Sequence, residues 1–147
     1  MLQLVYLSNA TTHFNNAPDD EINDILDIAI KFNQEHDITG MLAYRSGIFL
    51  QILEGEKYLV QELFGRIAMD QRHESIRVLI KQECTERLFP HWSMAYKKID
   101  NADMINLEQI YPWEEIINAS KSNIVIPNDK ILEIFKCLRF KNFRACG

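Results

Sequence analysis

The run Ile48-Phe49-Leu50-Gln51-Ile52-Leu53 decides the fold of this chain. Successive side chains of a strand point to opposite faces, so Phe49, Gln51 and Leu53 go one way and Ile48, Leu50 and Ile52 the other. Both sets are apolar but for Gln51, so both faces need cover, and the run belongs inside a sheet with a layer on each side. Arg45-Ser46-Gly47 separates it from a second apolar run, residues 41–44, which together read as a hairpin, and Gly55 closes it.

Upstream, residues 2–8 alternate in the period of a strand, with Leu2, Leu4, Tyr6 and Ser8 on one side and Gln3, Val5 and Leu7 on the other. Pro18 followed by Asp19, Asp20 and Glu21 reads as a helix start, because proline suits the first turn and carboxylates suit the positive end of the helix dipole. Ile22, Ile25, Leu26, Ala29 and Asn33 then fall on one face. Downstream, residues 57–70 read as a second helix with Leu59, Val60, Leu63, Phe64 and Ile67 as its buried stripe. Two more strands are predicted at 76–83 and 91–99, with Phe89-Pro90 punctuating the approach to the second.

This order predicts an α+β fold, a ferredoxin-like β-α-β-β-α-β-β sheet with both helices on one face. Met104, Leu107, Ile110, Trp113 and Ile116, then Ile131, Leu132, Phe135 and Leu138, recur at helical spacing around a link at 124–127. They supply the second face with a C-terminal helical cap. The expected organisation is residues 1–100 as the domain proper and 101–147 as a cap without an independent core.

A chain of 147 residues fits one domain. Sixteen Lys and Arg against twenty-one Asp and Glu give a net charge of −5, which argues against sequence-independent binding to nucleic acid. No stretch approaches the roughly 20 apolar residues of a membrane span, and residues 1–8 lack the basic flank of a leader, so a cytoplasmic protein is expected. Cys84, Cys137 and Cys146 lack disulfide or zinc spacing, and His13, His36, His73 and His91 lack metal-ligand spacing, so no metal is expected. Lys136, Arg139, Lys141 and Arg144 make a modest basic patch near the C-terminus, ordinarily a solvated face, that could meet an acidic partner.

Gln51 is the anomaly of its run, since a buried amide must satisfy two donors and an acceptor or cost a few kcal/mol. Tyr6 makes a similar demand on the first strand, and Asn33 ends the first helix's apolar stripe with another amide. With both helices on one face, these three could converge on a slot with Ile25 and Ile67 as opposed walls. Such a slot suits a flat heterocycle with donors and acceptors at its rim. Taken singly, Tyr6 reads as core packing, Asn33 as a helix cap, and Arg66, Asp70 and His73 as a solvated face; only the joint pattern points elsewhere.

Leu4-Val5-Tyr6-Leu7-Ser8, Asn33 before Ile38-Thr39-Gly40, Phe49 through Glu56, Asp70-Gln71-Arg72-His73 and Phe89-Pro90-His91-Trp92-Ser93-Met94 resemble, in order, the motifs of the BLUF domain, the blue-light sensors using flavin. The resemblance implies that Tyr6 and Gln51 form the photoactive pair, that Asn33 binds the flavin's pyrimidine edge, and that Ile25 and Ile67 sandwich its ring. It sets Ser8 beside the pocket, and Arg66, Asp70 and His73 near the ring edge or the phosphate chain; these last three fall at i, i+4 and i+7, as if on one helical stripe. Trp92 and Met94, two positions apart on the last expected strand, share a face, and either could abut Gln51. Phe32 stands where relatives often carry a polar residue. The implied cofactor is FAD, with FMN or riboflavin as alternatives.

The mechanism implied is transfer of an electron from Tyr6 to the light-excited flavin, with a proton passing through Gln51, which rotates or changes tautomer before the charges recombine. What persists is a rearranged hydrogen-bond network. A short sensor must then signal through a separate protein or its own assembly state. Two other classes compete: a dark flavin- or ligand-binding module, and a small ferredoxin-like hydrolase. The second lacks an anion-binding loop with Lys or Arg in residues 8–16 and a recognisable triad, so no enzyme is expected.

Overall fold

The computed structural model describes residues 1–139, apart from the side chain of His13, and the backbone of Arg144–Cys146. The side chains of Lys141, Arg144 and Cys146, considered above, lie outside the described residues.

Strands β1 (Leu2–Ala10), β2 (Thr39–Arg45), β3 (Ile48–Gly55), β4 (His73–Glu83), β5 (Met94–Lys98) and β6 (Arg144–Cys146) form one sheet in the order β4-β1-β3-β2-β5-β6. The β2/β5 pairing is parallel and the others are antiparallel. The run that decided the fold therefore sits between β1 and β2, and all eight residues of β3 are buried. Ser46 and Gly47, at φ 48° and 85°, make the tight β2/β3 connection; two consecutive positive φ values match the twist of a hairpin.

Helices α2 (Pro18–Glu35) and α3 (Lys57–Ala68) cover one face, and α4 (Asn101–Ile110), α5 (Trp113–Ala119) and α6 (Asn128–Arg139) the other. The split follows side-chain parity. Leu4, Tyr6, Leu42, Phe49 and Leu53 join Leu26, Val60 and Leu63 in one core, whereas Val5, Leu7, Met41, Leu50 and Ile52 join Leu107, Trp113, Ile131 and Phe135 in the other. The ferredoxin-like layout with a helical cap is thus the architecture.

Five details differ from the sequence expectation, the first being β6, a strand within residues 101–147 where only helices are expected. A short helix, α1 (Thr12–Asn16), occupies the polar loop after β1 and buries Phe14 against Tyr44 and Phe49, with ring centroids 5.1 and 4.8 Å away. The strand β4 begins at His73, three residues early, as the outer neighbour of the buried β1, where its polar residues face solvent at no cost to the ladder. α3 stops at Ala68, so Arg66 is helical while Asp70 and His73 are not: the proposed i, i+4, i+7 stripe does not exist. Finally, β5 begins at Met94, because the turns after Phe89-Pro90 keep residues 90–93 out of strand conformation, the Trp92 carbonyl still accepting the Gly40 N–H of β2 at 3.1 Å.

Candidate functional site

Antiparallel pairing sets Tyr6 directly opposite Gln51, and both side chains point to the α2/α3 face. Each is nearly inaccessible, and the Tyr6 hydroxyl donates to Gln51 Oε1. The amide's other end, Nε2, donates to the Met94 thioether at 3.5 Å. One buried amide therefore joins three strands: β1 through Tyr6, its own β3, and β5 through Met94. Burial, first, and the charge of Asp70, second, push the Tyr6 phenol well above its ordinary range. It is held as a neutral donor.

Above this floor lies a cavity of about 180 Å³. Ile25, Ile28, Ala29, Phe32 and Asn33 from α2 form one wall, and Leu63, Arg66 and Ile67 from α3 form the other. Tyr6, Leu42, Phe49, Gln51 and Met94 make the floor, and Asp70, Arg72 and His73 close one end. Two apolar walls over a polar-centred floor can clasp a planar ring system.

Asn33 is fully buried on α2 and donates from Nδ2 to the Ser93 carbonyl at 2.7 Å, while its Oδ1, also buried, has no partner. A buried amide oxygen without a donor costs free energy on the order of 1–3 kcal/mol. The ring N–H of a flavin's pyrimidine edge is a donor of the required kind, so this chain's residues fit the group that the sequence resemblance implies.

His73 is held at both nitrogens, by the Ile67 carbonyl at 2.5 Å from Nε2 and the Ser8 hydroxyl at 2.7 Å from Nδ1. A carbonyl only accepts, so Nε2 carries the proton. This places Ser8 behind His73, next to the cavity but not among the residues that line it. Ser8 keeps the slot-side parity of Tyr6, opposite Phe49 in the unbroken β1/β3 register, and the extra residue of the nearby bulge lies on β4, so Ser8 meets the site through His73.

Asp70 receives Arg72 Nε at 2.9 Å and Nη2 at 2.5 Å, and Arg72 Nη1 lies 3.6 Å from Glu21 on α2. Burial alone would raise the Asp70 carboxyl, but the hydrogen bonds and charge of Arg72, with His73 adding to them, hold it below the usual range. Arg72 was not among the expected site residues, since a lone arginine in a turn carries no spacing signal. Leu42, Phe49 and Leu63 likewise read only as core.

Trp92 departs from expectation more sharply. It lies outside β5, and its ring packs on Phe89, centroids 5.8 Å apart, against the cap-side core. The parity argument that paired it with Met94 fails because alternation holds only within a strand. Of the two, Met94 is the neighbour of Gln51.

Comparison with known proteins gives a consistent family. Residues 1–95 match the model of BLUF, sensors of blue-light using FAD. Photoactivated adenylate cyclase subunit alpha of Euglena gracilis is 34% identical over 99 residues, which are 67% of this chain and 10% of that protein. The chain thus spans about a tenth of the length of the curated relatives it matches. Among solved structures, BlsA in its photo-activated state superposes with a TM-score of 0.82 at 26% identity, covering 97% of both chains. A bacterial light-regulated adenylyl cyclase superposes at 0.69 and 34% identity, covering 91% of this chain and 39% of the other.

Proposed function

This chain belongs to the BLUF family of flavin-based blue-light photoreceptors, and from that premise we propose that it binds FAD in the α2/α3 slot and uses Tyr6, Gln51 and Met94 as its switch. The observation that carries this reading is the chain of contacts from the Tyr6 hydroxyl through the Gln51 amide to the Met94 sulfur, buried under a slot whose Asn33 lacks a partner. When bound, a flavin supplies absorption of blue light and an excited state able to accept an electron.

The protein's own part is to hold the proton and the amide. Tyr6 would give up an electron and a proton, the proton passing to Gln51 Oε1 already in place, and would recover both when the charges recombine. Reorientation or tautomerisation of the amide exchanges what it presents to Tyr6 and to Met94. Burial then preserves the new arrangement, since a group without water must be paired again before it can relax. Asn33 and the walls Ile25 and Ile67 fix the ring's register, Arg66 and Asp70 lie near the ring edge or the phosphate chain, and His73, backed by Ser8, closes the end.

We read the output as contact with a separate signalling protein, because Met94, on the slot face, opens β5, whose next residue Ala95 lies in the core shared with the cap. We also read the chain as cytoplasmic and without enzymatic activity of its own, acting through residues 1–100 with 101–147 as the cap. Among the described residues no helix is long and apolar enough to cross a membrane. The family does not favour a dark ligand-binding module or a hydrolase.

The test is optical. Purified protein should be yellow, and blue illumination should shift its flavin band reversibly to the red. Colourless protein after incubation with flavin, or a band indifferent to light, overturns the proposal. Tyr6→Phe should keep the flavin and lose the shift.

A further inference from the structure

At the mouth of the slot, α2 and α3 are bridged by Phe32. The His36 imidazole stacks on the Phe32 ring, centroids 4.1 Å apart and planes within 20°. Arg66 reaches over from α3 and sets its guanidinium carbon 4.9 Å from the centre of the same ring. The stack is anchored from below: the Phe32 carbonyl accepts His36 Nδ1 at 2.8 Å and the His36 backbone N–H at 3.1 Å. Because the carbonyl only accepts, Nδ1 carries the proton, which fixes the imidazole's orientation as well as its position.

A guanidinium lying on an aromatic face keeps its in-plane N–H groups for other partners. Arg66 uses one of them on Glu62 Oε1, at 3.1 Å, one turn back on α3. The other slot arginine differs: Arg72 is committed to both oxygens of Asp70 and lies close to Glu21. Arg66 is thus the slot-lining arginine whose edge is open at the rim, with its side chain 62% exposed. An arginine that exposed would ordinarily sample many rotamers, and the ring beneath it limits them. Phe32 itself has no polar atom to offer a ligand. Its ring can serve binding only as a wall or through Arg66.

We propose that Phe32 is a positioning residue for flavin nucleotides, holding the Arg66 guanidinium across the mouth of the slot so that its free edge meets the 5′-phosphate that FMN and FAD share and riboflavin lacks. This rests on the flavin-binding reading above. Guanidinium and phosphate match in geometry and charge, and the aromatic platform lowers the ordering cost of making the contact.

The experiment measures dark binding of riboflavin, FMN and FAD to the flavin-free full chain by fluorescence quenching. The wild type should prefer both nucleotides to riboflavin by on the order of tenfold, as expected for a charge-assisted contact at a partly exposed site. Phe32→Leu should lower that preference by about two- to fivefold, the range of an exposed cation–π contact, and Phe32→Trp should keep it. Arg66→Gln should remove the preference, and adding Phe32→Leu to it should change the ratio no further. Riboflavin affinity reports any loss of the apolar wall separately. Equal losses for all three flavins in Phe32→Leu overturn the proposal, as does a wild type that prefers FAD alone, since the adenosine half would then be what is recognised. A wild type that binds no flavin overturns this proposal together with the reading it rests on, whereas bound flavin with an unaltered ratio overturns this one only.

Discussion

Gln51 Nε2 lies 3.5 Å from the Met94 sulfur, so the amide that meets Tyr6 on β1 also touches the first residue of β5. Any rearrangement of that amide is felt at the residue where β5 begins. The thioether is a weak acceptor, and its contact belongs to the amide orientation in which Oε1 faces Tyr6.

Met94→Leu keeps the volume and apolarity of the site and removes the acceptor. If light reorients the amide, the lost contact is one of the dark state alone, and only a differential interaction shifts the balance of two states. Dark recovery of the red-shifted band should therefore slow by roughly threefold to tenfold, corresponding to about 1 kcal/mol. Recovery at the wild-type rate would mean that the contact survives the switch.

The Tyr6 phenol is raised by burial foremost and by Asp70 second, so its neutral form is favoured in the folded protein. A raised phenol contributes stability that is complete below the unfolded value, about 10, and declines as pH rises above it. The amplitude of the light-induced shift should be constant from pH 7 to about 10, then fall together with the folded structure. Absorbance at 295 nm and circular dichroism followed on one sample check this. Loss of amplitude near pH 9 with the fold intact would show that the hydroxyl is open to solvent.

How far the sequence discloses this molecule depends on whether a signal is periodic. Alternation in residues 48–53 and 2–8 specifies which side chains share a face, and opposed registers then bring Tyr6 to Gln51. That much is legible because a one-residue slip would turn every apolar side chain the wrong way. The place of Trp92 and the helical stripe through Asp70 and His73 read falsely for one common reason: each counts a period past a break, at Pro90 or at the end of α3. Arg72 was invisible because its role comes from partners 2 and 51 positions away, Asp70 and Glu21, and no local pattern encodes the second.

Gly40, in the Thr39-Gly40 pair that opens β2, is needed for its missing side chain. A Cβ there would stand 2.0 Å from the Ile52 carbonyl oxygen, which is backbone of the central strand and cannot swing aside. Gly40→Ala should cost about 3 kcal/mol or more, at the severe end for one methyl group, because the β2/β3 ladder must part locally. Urea denaturation measures it. A loss below about 1 kcal/mol would show that β2 can shift relative to β3 without disturbing the hairpin.

The strongest polar device outside the slot holds the segment that leads into Met94. Glu54, wholly buried at the end of β3, accepts the backbone N–H groups of Leu88 and Phe89 at 2.8 and 2.9 Å and the Gln3 amide at 3.0 Å. From the cap side, Arg139 on α6 donates to the Leu88 carbonyl at 2.9 Å. The peptide between Leu88 and Phe89 is thus gripped through its oxygen by a guanidinium and through its nitrogen by a carboxylate. Glu54→Leu preserves bulk and strands three donors, two of them buried, so unfolding should come about 3 kcal/mol or more sooner, whereas Arg139→Gln, which frees one carbonyl near the surface, should cost about 1 kcal/mol. Denaturant midpoints of the two variants distinguish these. Equal, small losses would mean that water replaces Glu54 freely, and that the approach to β5 is held by packing of Phe89 against Trp92 and Phe135 rather than by this grip.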